Sequence, residues 1–281
     1  MPRTFRTVLR SGLVVGVSLI VSAAAFAQGQ QPRGRAGWPC AGKVDPSYLR
    51  AAEATGGKVF LSAPGEVMAP AEDMTASQRH AQTVLRISDR FDDEAREYTV
   101  PIDSTVESVY FFVSIQCLQS ATIVRPNGEE LRTDAPDVEF HGFQAIRLFT
   151  VKTPAPGSWV VRMAGRGAVS LIASAKSELD FSLSIVEDGK PVSTLPVPGK
   201  PLRVEARMLQ EVREASFQFL SPDGAVKARL QLDAEGGPGE SRKYVGEVTP
   251  PNADYRLAVT GTDAHGFPYQ RVQGRYFVVS Q

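Results

Sequence analysis

Residues 106–117 read VESVYFFVSIQC, and from Val109 onward the side chains alternate. Val109, Phe111, Val113, Ile115 and Cys117 fall on one side, and Tyr110, Phe112, Ser114 and Gln116 on the other. A period of two over this length marks a strand with one face against a core. It places Cys117 with the apolar set, toward the interior. Directly after it, TIVRPNGEEL (122–131) sets an Asn-Gly pair between two strand-like runs, a strong hairpin signal. AIRLFTV (145–151), SWVVRMA (158–164) and VSLIASA (169–175) continue the pattern, with PAPG (154–157) and GRG (165–167) read as the turns between them. Many short strands with Gly/Pro turns predict a β-sandwich over 81–178.

A second set begins at DFSLSIVEDGKP (180–191), where Asp188-Gly189 makes a turn. PLRVEARML (201–209), ASFQFLSPDGAVKARLQL (215–232), KYVGEVTP (243–250), YRLAVTGTDAHG (255–266) and RYFVVS (275–280) carry it onward. These predict an immunoglobulin-like sandwich over 179–281, with AEGGPGES (234–241) as a mobile hairpin loop. The two sets echo each other, since VRPNG and LSPDG each end an alternating strand in a Pro-Asn/Asp-Gly turn. The expected fold class is mainly β: two β-sandwich domains with a short N-terminal α/β cap.

The cap is read from SYLRAAEATGGKVF (47–60), one helix running into one strand. Asp45 caps the helix, Pro46 fits its first position, and Gly56-Gly57 ends it where a left-handed residue is wanted. KVFLS (58–62) has strand character, and a second helix is predicted over 71–80 behind Pro70. Elements this small bury no core of their own. They must lean on the sandwich, which makes 28–80 a cap.

The first 27 residues have the parts of a secretory signal: Arg3, Arg6 and Arg10, an apolar run from Gly12 to Ala24, and AFA at 25–27. Cleavage is predicted after Ala27, and the expected location is secreted or periplasmic. The run is short for a membrane span of roughly 20 residues, so no transmembrane segment is expected in the mature chain, which is taken as complete as written. Without the signal, 254 of the 281 residues remain. Lys+Arg and Asp+Glu are each 31, a balance unlike that of a nucleic-acid binder, which carries a basic surplus. The basic QPRGRAG (31–37) reads as a solvated tail. Cys40 and Cys117 are the two cysteines. In an oxidising compartment they can pair, closing a loop worth roughly 4 to 5 kcal/mol by chain entropy before strain is subtracted.

The helix-to-strand stretch YLRAAEATGGKVF resembles the last helix and strand of a von Willebrand factor A domain. YTVPIDSTVESVYFFVS (98–114), RPNGEEL (125–131) and TPAPGSWVVRMAGRGAVSLIASAKSELDF (153–181) resemble the β-sandwich that follows such a domain in hemicentin-like extracellular proteins. The last hundred residues resemble a bacterial immunoglobulin- or fibronectin-like domain. These resemblances imply matrix, surface or adhesion roles. The A-domain metal loop, D-x-S-x-S, is absent: DSTVES (103–108) has Thr105 and Glu107 where the serines belong, so metal-dependent adhesion is not carried over.

Candidate chemistry is sparse. His80, His141 and His265 lie far apart, His80 at a helix end and the other two near glycines in turns, and none falls in a metal or triad spacing. No phosphate loop lies between a strand and a helix, and zinc would want more Cys and His. DRFDDEARE (89–97) places Asp89, Asp92, Asp93, Glu94 and Glu97 in an expected loop, the one run of carboxylates suited to calcium. Its spacing matches no defined calcium loop, and a solvated turn is the plainer reading. Trp159 enters a strand after PAPGS and is expected in the core, and Trp38 is placed to cover Cys40. No catalytic residue, cofactor site or metal site is assigned. The expected function is a secreted, non-catalytic binding or structural module with a protein partner on an edge or loop surface; the alternative is an accessory substrate- or carbohydrate-binding subunit of a secreted enzyme. Intact mass of the exported protein should begin at Gln28 and show no free thiol before reduction; two alkylatable thiols would reject the bridge.

Overall fold

The computed structural model describes residues 44–61, 81–192, 196–235, 243–274 and 277. The expected signal, Trp38, Cys40, the helix expected over 71–80, His80, residues 236–241 of the loop expected over 234–241 and most of RYFVVS lie outside them, while Ala234 and Glu235 of that loop belong to a short strand, Asp233–Glu235.

The first sandwich is made from one five-stranded antiparallel sheet in the order β1-β5-β2-β4-β3. Its strands are β1 (Gln82–Ile102), β2 (Ser108–Val124), β3 (Val138–Gly142), β4 (Ile146–Lys152) and β5 (Gly157–Lys176). Three of these are 17 to 21 residues long, too long for a flat layer, and they fold back on themselves. Trp159 and Ala173 are 14 residues apart on β5, about 46 Å if extended. Yet Phe111, in register with Ala173, has its ring centroid 6.0 Å from that of Trp159. The two halves of each long strand therefore face one another across a single core, which runs from Val84 to Ala175.

The fold-back occurs at one level on all three strands. Register shifts fall between Phe91 and Glu94 in β1 and at Ile115/Cys117 and Leu118/Ser120 in β2, all beside residues 164–169 of β5. Bulges of this kind bend a strand and increase its twist. GRG is thus not a turn between two strands but the crease inside one. A Cβ on Gly165 would stand 2.4 Å from the Cys117 carbonyl oxygen, and Gly167 has φ +93°, so only glycine fits this approach. The bulge also reverses the alternation: Leu118, not Cys117, continues the core-facing row. Cys117 is half-buried on the other side of that phase change.

The second face of the sheet explains the cap. Phe112, Ile146, Leu148 and Ile172 form a patch there covered by Phe60, whose ring meets Phe112 edge-on at 5.3 Å. Leu61 N–H donates to Ser114 Oγ at 3.2 Å. Residues 58–61 are thus anchored by side chains, and none belongs to a strand, contrary to the expectation for KVFLS. Ahead of them α1 (Pro46–Thr55) has the expected punctuation: the Asp45 side chain accepts from Ser47 N–H, and Gly56 closes the helix at φ 71°.

The C-terminal sandwich packs two sheets, β10-β9-β13-β14 on β11-β12-β8-β6-β7. The strands are β6 (Phe181–Glu187), β7 (Lys190–Val192), β8 (Leu202–Met208), β9 (Val212–Leu220), β10 (Val226–Arg229), β11 (Asp233–Glu235), β12 (Lys243–Val248), β13 (Arg256–Asp263) and β14 (Pro268–Val272). Phe217 of β9 meets Tyr244 of β12 at 5.2 Å across the layers. The echo between the two halves is structural. In both Pro-x-Gly turns the residue before Pro donates to the carbonyl four residues on and accepts from the glycine N–H, and Gly128 and Gly224 have φ 86° and 85°.

Charges that the sequence presents as surface residues join the two sandwiches in the interior. Glu53 of α1 accepts from Arg86 Nη2 of β1 at 3.1 Å and from Ser88 Oγ at 2.6 Å, and its other oxygen pairs with Arg256 of β13. Arg256 also donates to the Arg86 carbonyl at 3.0 Å, and Arg86 to the carbonyls of Gly56 and Gly57. Burial lowers the Arg86 guanidinium to about 10, which leaves it cationic at neutral pH. A second pair joins Arg271 of β14 to Asp103 at 2.7 Å, with Ser177 Oγ at 2.6 Å and the Leu179 carbonyl completing the site. Asp263 accepts from both N–H and Oγ of Ser104. Burial raises its pKa, but these bonds and those from the Phe267 and His265 N–H groups outweigh that and hold it below its ordinary value.

Removing one member of a buried ion cluster strands the others. Glu53→Ala should lower unfolding free energy by roughly 3 to 5 kcal/mol, measured by urea denaturation; a change below about 1 kcal/mol, the range of exposed pairs, would remove this cluster from the fold's essentials.

Candidate ligand-binding cleft

The end of β2 runs into the 126–128 turn, and the chain returns through 129–137 to β3. Between this return and Ala155 lies an open cleft of about 730 Å³. Trp159 is fully buried beneath it, with Nε1–H donating to the Ala155 carbonyl at 2.9 Å. Arg125 lies over the indole, its Cζ 5.4 Å from the ring centroid, and is fixed by Asp137, which accepts from Nη2 at 2.8 and 3.1 Å. Stacking on an aromatic face and pairing with a carboxylate are both suited to a planar guanidinium. Asn127 accepts from Glu129 N–H at 3.1 Å and donates to the Glu129 carboxylate at 2.8 Å, ordering the rim. Arg132 and Asp134 form an exposed fork at 3.0 and 2.9 Å, each holding the other's charge: Arg132 is shifted up and Asp134 down.

The cleft thus offers two guanidinium groups, three carboxylates (Glu129, Glu130, Asp137) and one amide. Donors and acceptors alternate at short range, with a rigid floor. Its described lining holds no Ser, Thr, Cys, Lys or His.

The other singled-out residues lie elsewhere. The acidic run 89–97 is not a loop; it is part of β1, bulged at Phe91/Glu94, with Asp93 at φ 57°. Arg96 pairs with Asp89 and with Glu94 at 2.8 Å, Gln119 donates to Asp93 at 2.6 Å, and Arg162 donates to Glu97 at 2.8 Å. Among the described residues no group of three or more His, Cys, Asp and Glu is placed to hold a metal ion. His141 belongs to edge strand β3 rather than a turn and meets Glu139 at 3.2 Å. His265 does lie in a turn, with Nδ1 3.0 Å from Ser104 Oγ. Asp103 of DSTVES is the buried partner of Arg271. Sequence reasoning did not find Arg125 and Asp137. Their one signal is an Arg beside the Asn-Gly turn, twelve residues before an Asp that opens a strand.

Residues 83–178 match the family described as hemicentin galactose-binding domain-like. The match takes in nearly all of the first sandwich and the whole cleft, in agreement with the hemicentin resemblance; it does not reach residues 47–60 or the C-terminal sandwich. No curated protein matches the chain. Among solved structures, the lipase BlEst2 of Bacillus licheniformis in its propeptide form aligns at TM-score 0.32 and 11% identity, covering 67% of this chain and 40% of that one. A β-D-glucuronidase of Dictyoglomus thermophilum aligns at 0.21 and 9%, covering 63% and 36%. Likenesses this distant carry no argument. No helix among the described residues is long and apolar enough to cross a membrane.

Trp159→Ala should destabilise the protein by roughly 3 to 5 kcal/mol, read as a lower denaturation midpoint. An indole serving chiefly as a ligand platform predicts a midpoint close to the parent's.

Proposed function

We propose that this protein is an exported, non-catalytic binding module of the bacterial envelope or extracellular space, and that the cleft of its first sandwich receives a neutral, polyhydroxylated ligand such as an oligosaccharide. The observation that carries this reading is the cleft itself: rigid, rimmed by alternating donors and acceptors, and contained in the segment that matches a galactose-binding-like family. Sugar hydroxyls both donate and accept, and they are matched by a fork of arginines and carboxylates already held in place. Little side-chain ordering is then required on binding. Near-balanced charge in the lining suits a neutral ligand better than a polyanion or a polycation.

Export rests on the N-terminal signal, and the Cys40–Cys117 bridge would tie the region before α1 to the crease in β2. A protein partner on an exposed edge remains compatible with this module, because sandwiches present such edges independently of their clefts.

The test is a glycan array probed with the full mature chain, followed by calorimetry on the best ligand. Asp137→Asn, which preserves shape while loosening Arg125, should weaken binding at least tenfold. No saturable binding to any glycan at millimolar concentration would overturn the ligand class, and turnover of a glycoside or ester substrate would overturn the non-catalytic reading.

A further inference from the structure

The sequence holds two asparagines, Asn127 and Asn252, and glycine follows only the first. The backbone nitrogen that follows an asparagine can attack its side-chain amide carbon, and a Cβ on that next residue hinders the approach; glycine has none. Gly128 stands in open space, with nothing within 4 Å of where a Cβ would project. Asn127 is exposed on the rim of the first-sandwich cleft. Its amide nitrogen donates to the Glu129 carboxylate at 2.8 Å and its oxygen accepts from Glu129 N–H at 3.1 Å, while Gly128 N–H donates to the Arg125 carbonyl at 2.9 Å. These bonds restrain the attack without preventing it, because exposed hydrogen bonds at a turn tip open at little cost.

The C-terminal sandwich shows the fit of an acid at this position. In its Pro222-Asp223-Gly224 turn the glycine N–H donates to the Ser221 carbonyl at 2.9 Å, and the Asp223 carboxylate accepts from Ala225 N–H at 3.3 Å, as the Asn127 oxygen accepts from Glu129 N–H. The two glycines have φ 86° and 85°. An aspartate at position 127 therefore keeps the turn. What it alters is charge: an oxygen replaces the nitrogen that faces Glu129, and two carboxylates at that spacing repel. The rim loses a donor, gains a negative charge and turns Glu129 away.

We propose that Asn127 is a site of spontaneous deamidation that converts the cleft rim to an anionic form; the consequence for glycan binding rests on the reading of the cleft given above. The Gly128 nitrogen bonds to Asn127 Cγ, the Cγ–Nδ2 bond breaks, and the amide nitrogen leaves as ammonia with the Gly128 proton. Water then opens the succinimide at either carbonyl, which gives aspartate or isoaspartate at position 127. Aspartate changes the charge alone. Isoaspartate also inserts Cβ into the main chain and lengthens the turn. Either product removes the amide that orders Glu129.

The full chain, held for several weeks in mildly alkaline buffer at physiological temperature, should gain the mass of one NH-for-O exchange. Fragmentation should place that gain at Asn127, with Asn252, which precedes Ala253, unchanged. Asn127→Asp, made directly, should keep the parent's dichroism and melting midpoint, as Asp223 does in its own turn, and should bind the best glycan of the array at least tenfold more weakly. No mass gain at Asn127, equal gain at both asparagines, or an Asn127→Asp variant that binds that glycan as the parent does would each overturn the proposal. A mass gain at Asn127 in a protein that binds no glycan in either form would overturn the ligand class of the cleft and uphold the labile site.

Discussion

The contact on which the architecture turns is the carboxylate of Glu53, held between Arg86 and Arg256. Each of the three comes from a different part of the chain: the short helix, the first strand of the first sandwich, and a central strand of the second. Two buried guanidinium groups this close repel unless an anion stands between them, and burial of either charge alone is strongly unfavourable. The helix is therefore more than a cover. It supplies the countercharge that allows the two sandwiches to meet, while Arg271 and Asp103 form an independent pair farther along the same junction. Such clusters add little net stability relative to an apolar interface, but they accept one arrangement and penalise others.

The first sandwich is shaped by a different constraint, the crease at residues 164–169 of β5. Because three neighbouring strands bulge at one level, a single sheet supplies both layers of a core. This leaves an exposed apolar patch on the sheet's second face, and Phe60 covers it. The α/β fragment thus has two tasks set by the rest of the molecule. Its apolar end seals a sheet face, and its acidic residue neutralises a junction.

Much of this was legible in the sequence. The alternation from Val109 to Ile115, the turn glycines at 128, 189 and 224, and the Asp45-Pro46 start and Gly56 stop of α1 are local signals set by backbone sterics and capping, and they appear where expected. The misread features all depend on a distant partner. GRG looks like a turn until Gln116 and Cys117 are known to lie against it. The acidic run looks like a loop until Gln119 of β2 and Arg162 of β5 are seen to meet its carboxylates. Glu53, Arg86 and Arg256 look solvated because nothing local shows that 33 and 170 residues of separation bring them together. Arg125 and Asp137, the heart of the cleft, carry no motif for the same reason: their meaning lies in the indole beneath them.

If buried charge fuses the two sandwiches, they unfold together. Differential scanning calorimetry of the protein at neutral pH should give one transition whose calorimetric and van't Hoff enthalpies agree. Two resolved transitions, with the C-terminal sandwich melting apart from the first, would contradict the account.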